Sequence, residues 1–259
     1  NPQRIQDITR AIDICEAAIK RHPGTYGAQL CQSLLDNIRA TSLNVQMENV
    51  YLPGEPALVK VNFRNMDKVY VKVARGTHEP EFLENISWEK KYDFLNGLPV
   101  VQRREWSFKV PEDYQSHSTE IALESLQPGS YWLLVSGDAG FDPKKNHVSY
   151  AQFTVSSLAA VTYMEKGSNN FFVVNRATGV PVADVKVELF RGRNLRKENA
   201  GVVQTLMTDQ NGHAQPTLSE NYGVEARLSL AGDTLWAGSF YHYRQSDEYS
   251  APLQVHFFT

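Results

Sequence analysis

The feature that most restricts the fold is a change of hydrophobic period at Thr41-Ser42. Before it, Ile5, Ile8, Ile12, Cys15 and Ile19 recur at intervals of three and four, the spacing that lines one face of an α-helix. His22-Pro23-Gly24-Thr25 interrupts the pattern, because proline and glycine end helices and make turns. A second helix is expected beyond it, with Tyr26, Leu30, Leu34 and Ile38 on its apolar side. Two short helices about a tight turn pack antiparallel. The isoleucine stripe exceeds what they can hide between themselves, so the hairpin of residues 1–41 is expected to dock on a larger body.

After Ser42 the period is 2 and stays 2. Leu43–Met47, Ala57–Phe63, Val69–Val73, Ile121–Leu123 and Tyr131–Val135 all alternate. Alternation places one face of a strand in a core and the other in water, the habit of antiparallel sandwiches. Pro53-Gly54, Asn65-Met66-Asp67, Pro128-Gly129 and Gly137-Asp138 punctuate the runs as turns. About seven strands up to Val155 suit a β-sandwich of about 100 residues, here 42–156. A second sandwich is read over 157–259, from Phe171–Val174, Val185–Leu189, Thr205–Thr208, Glu225–Leu230, Thr234–Tyr241 and Leu253–Phe258. Asp209-Gln210-Asn211-Gly212 is predicted to be a hairpin turn, since Asn and Gly both tolerate positive φ, with Asp209 supporting it locally. The fold class is therefore mainly β: two tandem antiparallel β-sandwiches preceded by an α-helical hairpin. The join at Val155-Ser156-Ser157-Leu158 is too short and too apolar for a flexible linker.

Charge narrows the partners. Twenty-six Lys and Arg against 29 Asp and Glu leave a net charge of −3, without the basic surplus a general nucleic-acid binder needs. No apolar run approaches the roughly 20 residues of a membrane helix. The chain opens Asn1-Pro2 and closes Leu253–Thr259, which is expected of a piece of a longer protein whose anchor lies elsewhere.

The search for chemistry finds little. There is no His-Glu-x-x-His, no Gly-x-Ser-x-Gly and no phosphate-binding Gly-Lys-Ser/Thr loop. The seven histidines (22, 78, 117, 147, 213, 242, 256) lack metal-ligand spacing, so no metal and no cofactor is expected. Asp209–Gly212 and Asp138–Pro143 resemble fragments of calcium loops but lack the further oxygen ligands such sites need. Trp132 and Trp236 lie in alternating strands, where a large ring more often fills a core than a sugar platform. Asn85-Ile86-Ser87 is a formal glycosylation sequon. Cys15 and Cys31 lie eight residues on either side of Pro23, hence opposite each other in an antiparallel hairpin. A disulfide in an oxidising compartment and a pair of buried thiols are both open readings.

Several segments resemble the bacterial alpha-2-macroglobulin family. They are Pro53-Gly54-Glu55-Pro56 with Val61–Asn65 and Lys68–Val73, then Leu126–Val135, then Ala177–Val187 paired with Thr208–Gly212. Together they cover residues 43–259 and make both sandwiches macroglobulin-like, or Ig-like more broadly. The resemblance implies a periplasmic or cell-surface protein, often lipid-anchored, that traps proteases when a bait segment is cut. Its partners would be other domains of the same large chain, and proteases through the full-length protein. The family's thioester motif, Cys-Gly-Glu-Gln, is not matched by Cys15-Glu16-Ala17 or Cys31-Gln32-Ser33, and no bait-like segment is visible. The expectation is a non-catalytic scaffold segment. The competing reading is a surface adhesin or glycan-binding module, which requires a line of exposed aromatics.

Overall fold

A computed structural model describes residues 2–76, 87–109, 113–165, 168–191, 201–218 and 222–242. The expected strand at Leu253–Phe258, the sequon asparagine Asn85, His78 and His256 lie outside the described residues. Helices α1 (Pro2–Arg21) and α2 (Tyr26–Arg39) form the hairpin, with Thr25 capping α2 by accepting the Ala28 amide on its hydroxyl. Then come β1 (Ser42–Met47), β2 (Val50–Tyr51), β3 (Ala57–Arg64) and β4 (Lys68–Arg75). Helix α3 (Trp88–Gly97) follows, and after it β5 (Val100–Ser107), β6 (Ser116–Leu123), β7 (Gly129–Ser136) and β8 (Val148–Val155). The remaining strands are β9 (Leu158–Glu165), β10 (Ser168–Asn175), β11 (Lys186–Arg191), β12 (Val202–Met207), β13 (His213–Ala214), β14 (Tyr222–Leu230) and β15 (Asp233–His242).

The first core lies between a three-stranded sheet, β1-β3-β6, and a five-stranded sheet, β2-β8-β7-β4-β5. β3 alternates as its sequence does: Ala57, Val59, Val61 and Phe63 are buried, while Leu58 and Lys60 are exposed. The second core lies between β13-β10-β9 and β12-β11-β14-β15, and is built on Phe171, Val173, Val187, Leu189 and Leu228. The mainly β, antiparallel character read from the alternation is what the structure has; among the described strands one short pair, β2 with β8, is parallel.

Three features depart from expectation. β7 is buried on both faces: Tyr131, Leu133 and Val135 enter the first core, whereas Trp132 and Leu134 face the other way. That second face is roofed by α3, through Tyr92 and Leu95, and by Phe141. A continuous apolar run is the signature of a strand covered on both sides, and Tyr131–Val135 is such a run. Second, the buried face of α2 is Ala28 and Leu35 with Cys31 and Ile38, while Tyr26, Leu30 and Leu34 are exposed. Both stripes fit a helical period; the buried one carries Cys31, Leu35 and Ile38 onto Ile12 and Cys15 of α1. Third, the isoleucine stripe closes mainly against α2 and meets the sandwich at Tyr114. Ile12, Cys15 and Leu35 form the core of the hairpin with Ile8 and Ile19 around them, and Tyr114 packs on that core from outside it. Arg64 and Asn65 hold the hairpin to the sandwich. Arg64 donates to the carbonyls of Ala40 and Asn37, and Asn65 to those of Ile38 and Ala40. These carbonyls end α2 and have no partner within the helix, so the clamp satisfies them.

Candidate functional site

The turn at Asp209 is built as its residue types demand. Asp209 Oδ1 accepts the amides of Asn211 at 2.9 Å and His213 at 2.8 Å, and the Gly212 amide donates to the Asp209 carbonyl at 2.9 Å. Gly212 has φ +76°, and Asn211 is not among the positive-φ residues. One oxygen of the carboxylate is therefore occupied by two backbone donors. The flanking strands do not pair with each other, so this is not a β-hairpin. β12 pairs with β11, and β13 pairs with β10 in the facing sheet, so the turn carries the chain across the core. Turn chemistry is local, but strand pairing is decided by distant residues, and a sequence pattern reports only the first.

The other acidic loop is similarly closed. Asp138 Oδ2 accepts the Gly140 amide, and Asp142 Oδ1 accepts that of Lys144. Among the described residues no three His, Cys, Asp or Glu side chains converge as metal ligands. His213 lies against the Phe172 ring, with its Nδ1 3.1 Å from the Tyr163 hydroxyl.

Cys15 and Cys31 are brought together in the core of the hairpin. Burial pushes the Cys15 thiol up, and its hydrogen bond with Cys31 adds to the shift. Beside the hairpin, a cleft of about 400 Å³ opens between α1, α2 and the start of β6. Ile8, Leu34, Ile38, Arg64 and Tyr114 line it. It holds no nucleophile–base pair, and its guanidinium is committed to the carbonyls that end α2. Tyr114 stands at φ +55°, a backbone state unusual for a bulky side chain.

Asp113, next to the cleft, accepts the Gln115 amide and the His117 ring nitrogen on one oxygen, each at 2.9 Å. Burial alone would raise its carboxyl, but these two groups outweigh it and hold the pKa below the ordinary value. A depressed folded-state pKa contributes stability above the unfolded value, about pH 4, and loses it as pH falls through the folded value. Asp113→Asn should therefore be less stable than wild type at neutral pH, with the gap closing as pH drops below about 4. Denaturant melts along a pH series check this.

Under α3, Lys72 is a buried lysine. It donates to Asn96 Oδ1, and its ammonium stands 4.8 Å from the Phe141 ring centroid. Burial pushes its pKa down, with Arg103 adding a smaller repulsion. The Tyr92 hydroxyl and Trp132 Nε1, in the same layer, are buried without hydrogen-bond partners. Each of these unpaired polar atoms costs stability, against the apolar packing around it. Lys72→Met is expected to be neutral or stabilising, and thermal melting checks it.

On the outward face of the second sandwich's four-stranded sheet, Trp236 and Phe190 lie 5.3 Å apart. Arg227 lies over both rings, at 4.9 Å from Phe190 and 5.7 Å from Trp236. Its Nε and Nη2 donate to Glu188 Oε2 at 3.0 and 2.8 Å. The carboxyl of Glu188 is held below its ordinary value by Lys186 first and by Arg227 as well, against burial. Trp236 does not fill the core, as its place in an alternating strand had suggested. Nor does it offer a bare ring, because a guanidinium covers it.

The most organised polar site joins the two sandwiches. β8 ends at Val155, and β9 begins at Leu158. Ser156 donates its amide to Tyr51, and its hydroxyl accepts the Leu158 amide. Asp233, buried at the start of β15, accepts from the Ser157 amide at 2.7 Å and the Ser157 hydroxyl at 2.6 Å. Arg176 donates its amide to the Ser157 carbonyl and its Nε to that of Leu158. Val50, from the first sandwich, packs on the core of the second. No motif announces this latch, because Asp233 lies 76 residues from Ser157. Hydrogen bonds to a charged group are worth about 1.5–3 kcal/mol, so Asp233→Ala should lower stability by about that amount, read by urea melting.

Neither a protein-family model nor a curated protein sequence matches the chain. Solved structures do. Native alpha-2-macroglobulin from Escherichia coli spanning domains MG0-NIE-MG1 aligns over 76% of this chain and 64% of that one, at 17% identity and a TM-score of 0.53. The fold is macroglobulin-like. The Escherichia coli fragment spanning NIE-MG1 aligns over 76% of this chain and 95% of that one, at 17% identity and a TM-score of 0.48. Salmonella alpha-2-macroglobulin reacted with methylamine aligns over 80% of this chain but 17% of its own length, at 11% identity and a TM-score of 0.32. The macroglobulin-like chain thus spans a little under two thirds of the MG0-NIE-MG1 fragment. No helix among its described residues is long and apolar enough to cross a membrane.

Proposed function

We propose that this chain is a non-catalytic scaffold segment of a large extracytoplasmic protein of the alpha-2-macroglobulin type. In this reading it comprises a helical hairpin (1–41) and two macroglobulin-like sandwiches (42–156 and 157–259). Its partners are other domains of the same large chain, and proteases are met only through the full-length protein. The observation that carries the reading is the short join itself: Ser156 donates to Tyr51 of the first sandwich, Ser157 is fixed by Asp233 of the second, and Val50 packs on the second core, so no linker separates the two. A framework that transmits a collapse between modules needs stiff joints. The covered rings of Trp236 and Phe190 count against the adhesin reading, which needs accessible aromatic faces.

A two-substrate protease assay tests it. Protease mixed with the full-length protein should lose activity on a large protein substrate and keep it on a small peptide, because an enclosed enzyme still admits small molecules. The isolated chain should change neither. A full-length protein that leaves the protease fully active on large substrates contradicts the trap. Turnover by the isolated chain, or its saturable binding to a glycan, contradicts the scaffold.

A further inference from the structure

We propose that Cys15 and Cys31 are a disulfide site that staples α1 to α2. They are the chain's two cysteines, and both lie in the core of one helical hairpin, eight residues on either side of Pro23. Antiparallel helices whose axes are about 8–10 Å apart bring facing Cα atoms within the roughly 4.4–6.8 Å that a disulfide spans. Both side chains pack in one cluster, Cys15 buried in it and Cys31 against it, so closure needs no change in the helices' register. The layer around them is closed, with Ile12 and Leu35 buried and Ile8, Ile19 and Ile38 packed against them.

The two thiols differ in access, and this orders the chemistry. Cys31 is half-buried and Cys15 is buried. The Cys31 thiolate attacks a disulfide oxidant such as oxidised glutathione, forming a mixed disulfide and releasing one glutathione thiolate. Cys15 then loses its proton to solvent and attacks the Cys31 sulfur, expelling the second glutathione. The S–S bond formed between Cys15 and Cys31 replaces the S–S bond broken in the oxidant. The protein loses two electrons and two protons, and one oxidised glutathione becomes two reduced. The closed loop contains the whole interhelical turn, and α2 also walls the cleft beside the sandwich, so the staple fixes that wall. This inference does not rest on the proposed trap, because the pairing is a property of the hairpin alone.

Intact mass spectrometry on the purified chain incubated with oxidised glutathione tests it. The expected result is a loss of two hydrogen masses, with no alkylation by iodoacetamide until reductant is added. Proteolysis should then yield one linked peptide pair carrying Cys15 and Cys31. The melting temperature should fall when dithiothreitol is added to the oxidised chain, and should be indifferent to it in Cys31→Ser. Two free thiols after oxidant, a stable glutathione adduct on Cys31, or a disulfide-linked dimer on a non-reducing gel would each overturn the proposal.

Discussion

Replacing Gly212, a buried turn residue, by valine is expected to destabilise the second sandwich by about 3–5 kcal/mol. Two penalties coincide there. The residue stands at φ +76°, where a β-branched side chain is strained. A Cβ on its backbone would also come to 2.4 Å from the carbonyl oxygen of Val173, which is main chain and cannot rotate away. That strand is itself held here, because the Val173 amide donates to the Gly212 carbonyl at 2.8 Å. Gly212→Ala should lose nearly as much, since the clash involves Cβ itself. Chemical denaturation of the two variants checks this, and a loss below about 1 kcal/mol would show that the crossing is not built this way.

Trp132→Ala is expected to cost about 3–5 kcal/mol, as large-to-small changes at buried aromatic positions do. The ring is 5% exposed and packs under α3 on the far side of the five-stranded sheet from the first core. Removing it should also free α3, seen as faster amide exchange across Tyr92–Leu95. Trp132→Phe tests the polar part separately. The indole N–H is buried without a partner, so phenylalanine removes an uncompensated donor while keeping most of the ring. Its cost should stay below about 1.5 kcal/mol. Equal losses in both variants would contradict the assignment of this layer.

The strands were legible because alternation is a direct consequence of one wet face and one dry one, as β3 shows residue by residue. The hairpin was legible for the same kind of reason, through its spacing and through Pro23-Gly24. What escaped depends on contacts far apart in sequence. Lys72 reads as the wetted position of an alternating strand, yet α3 covers it. Helix α3 is only ten residues long; its signals are Ser87 as cap and Tyr92 with Leu95 three apart, too few for periodicity to stand out. Tyr26, Leu30 and Leu34 misled because their spacing suits a buried stripe as well as that of Ala28, Leu35 and Ile38 does. Asp233 belongs to no motif, and its partner Ser157 reads only as part of a short join.

The central claim is that the two sandwiches act as one stiff unit. Pulsed electron–electron distance measurement tests it most directly, with spin labels introduced by a cysteine-independent chemistry at Lys60 on β3 and Met207 on β12, both exposed positions. The account predicts one narrow distance distribution in the intact chain and a broader one in Asp233→Ala. A broad distribution already present in the intact chain would contradict it.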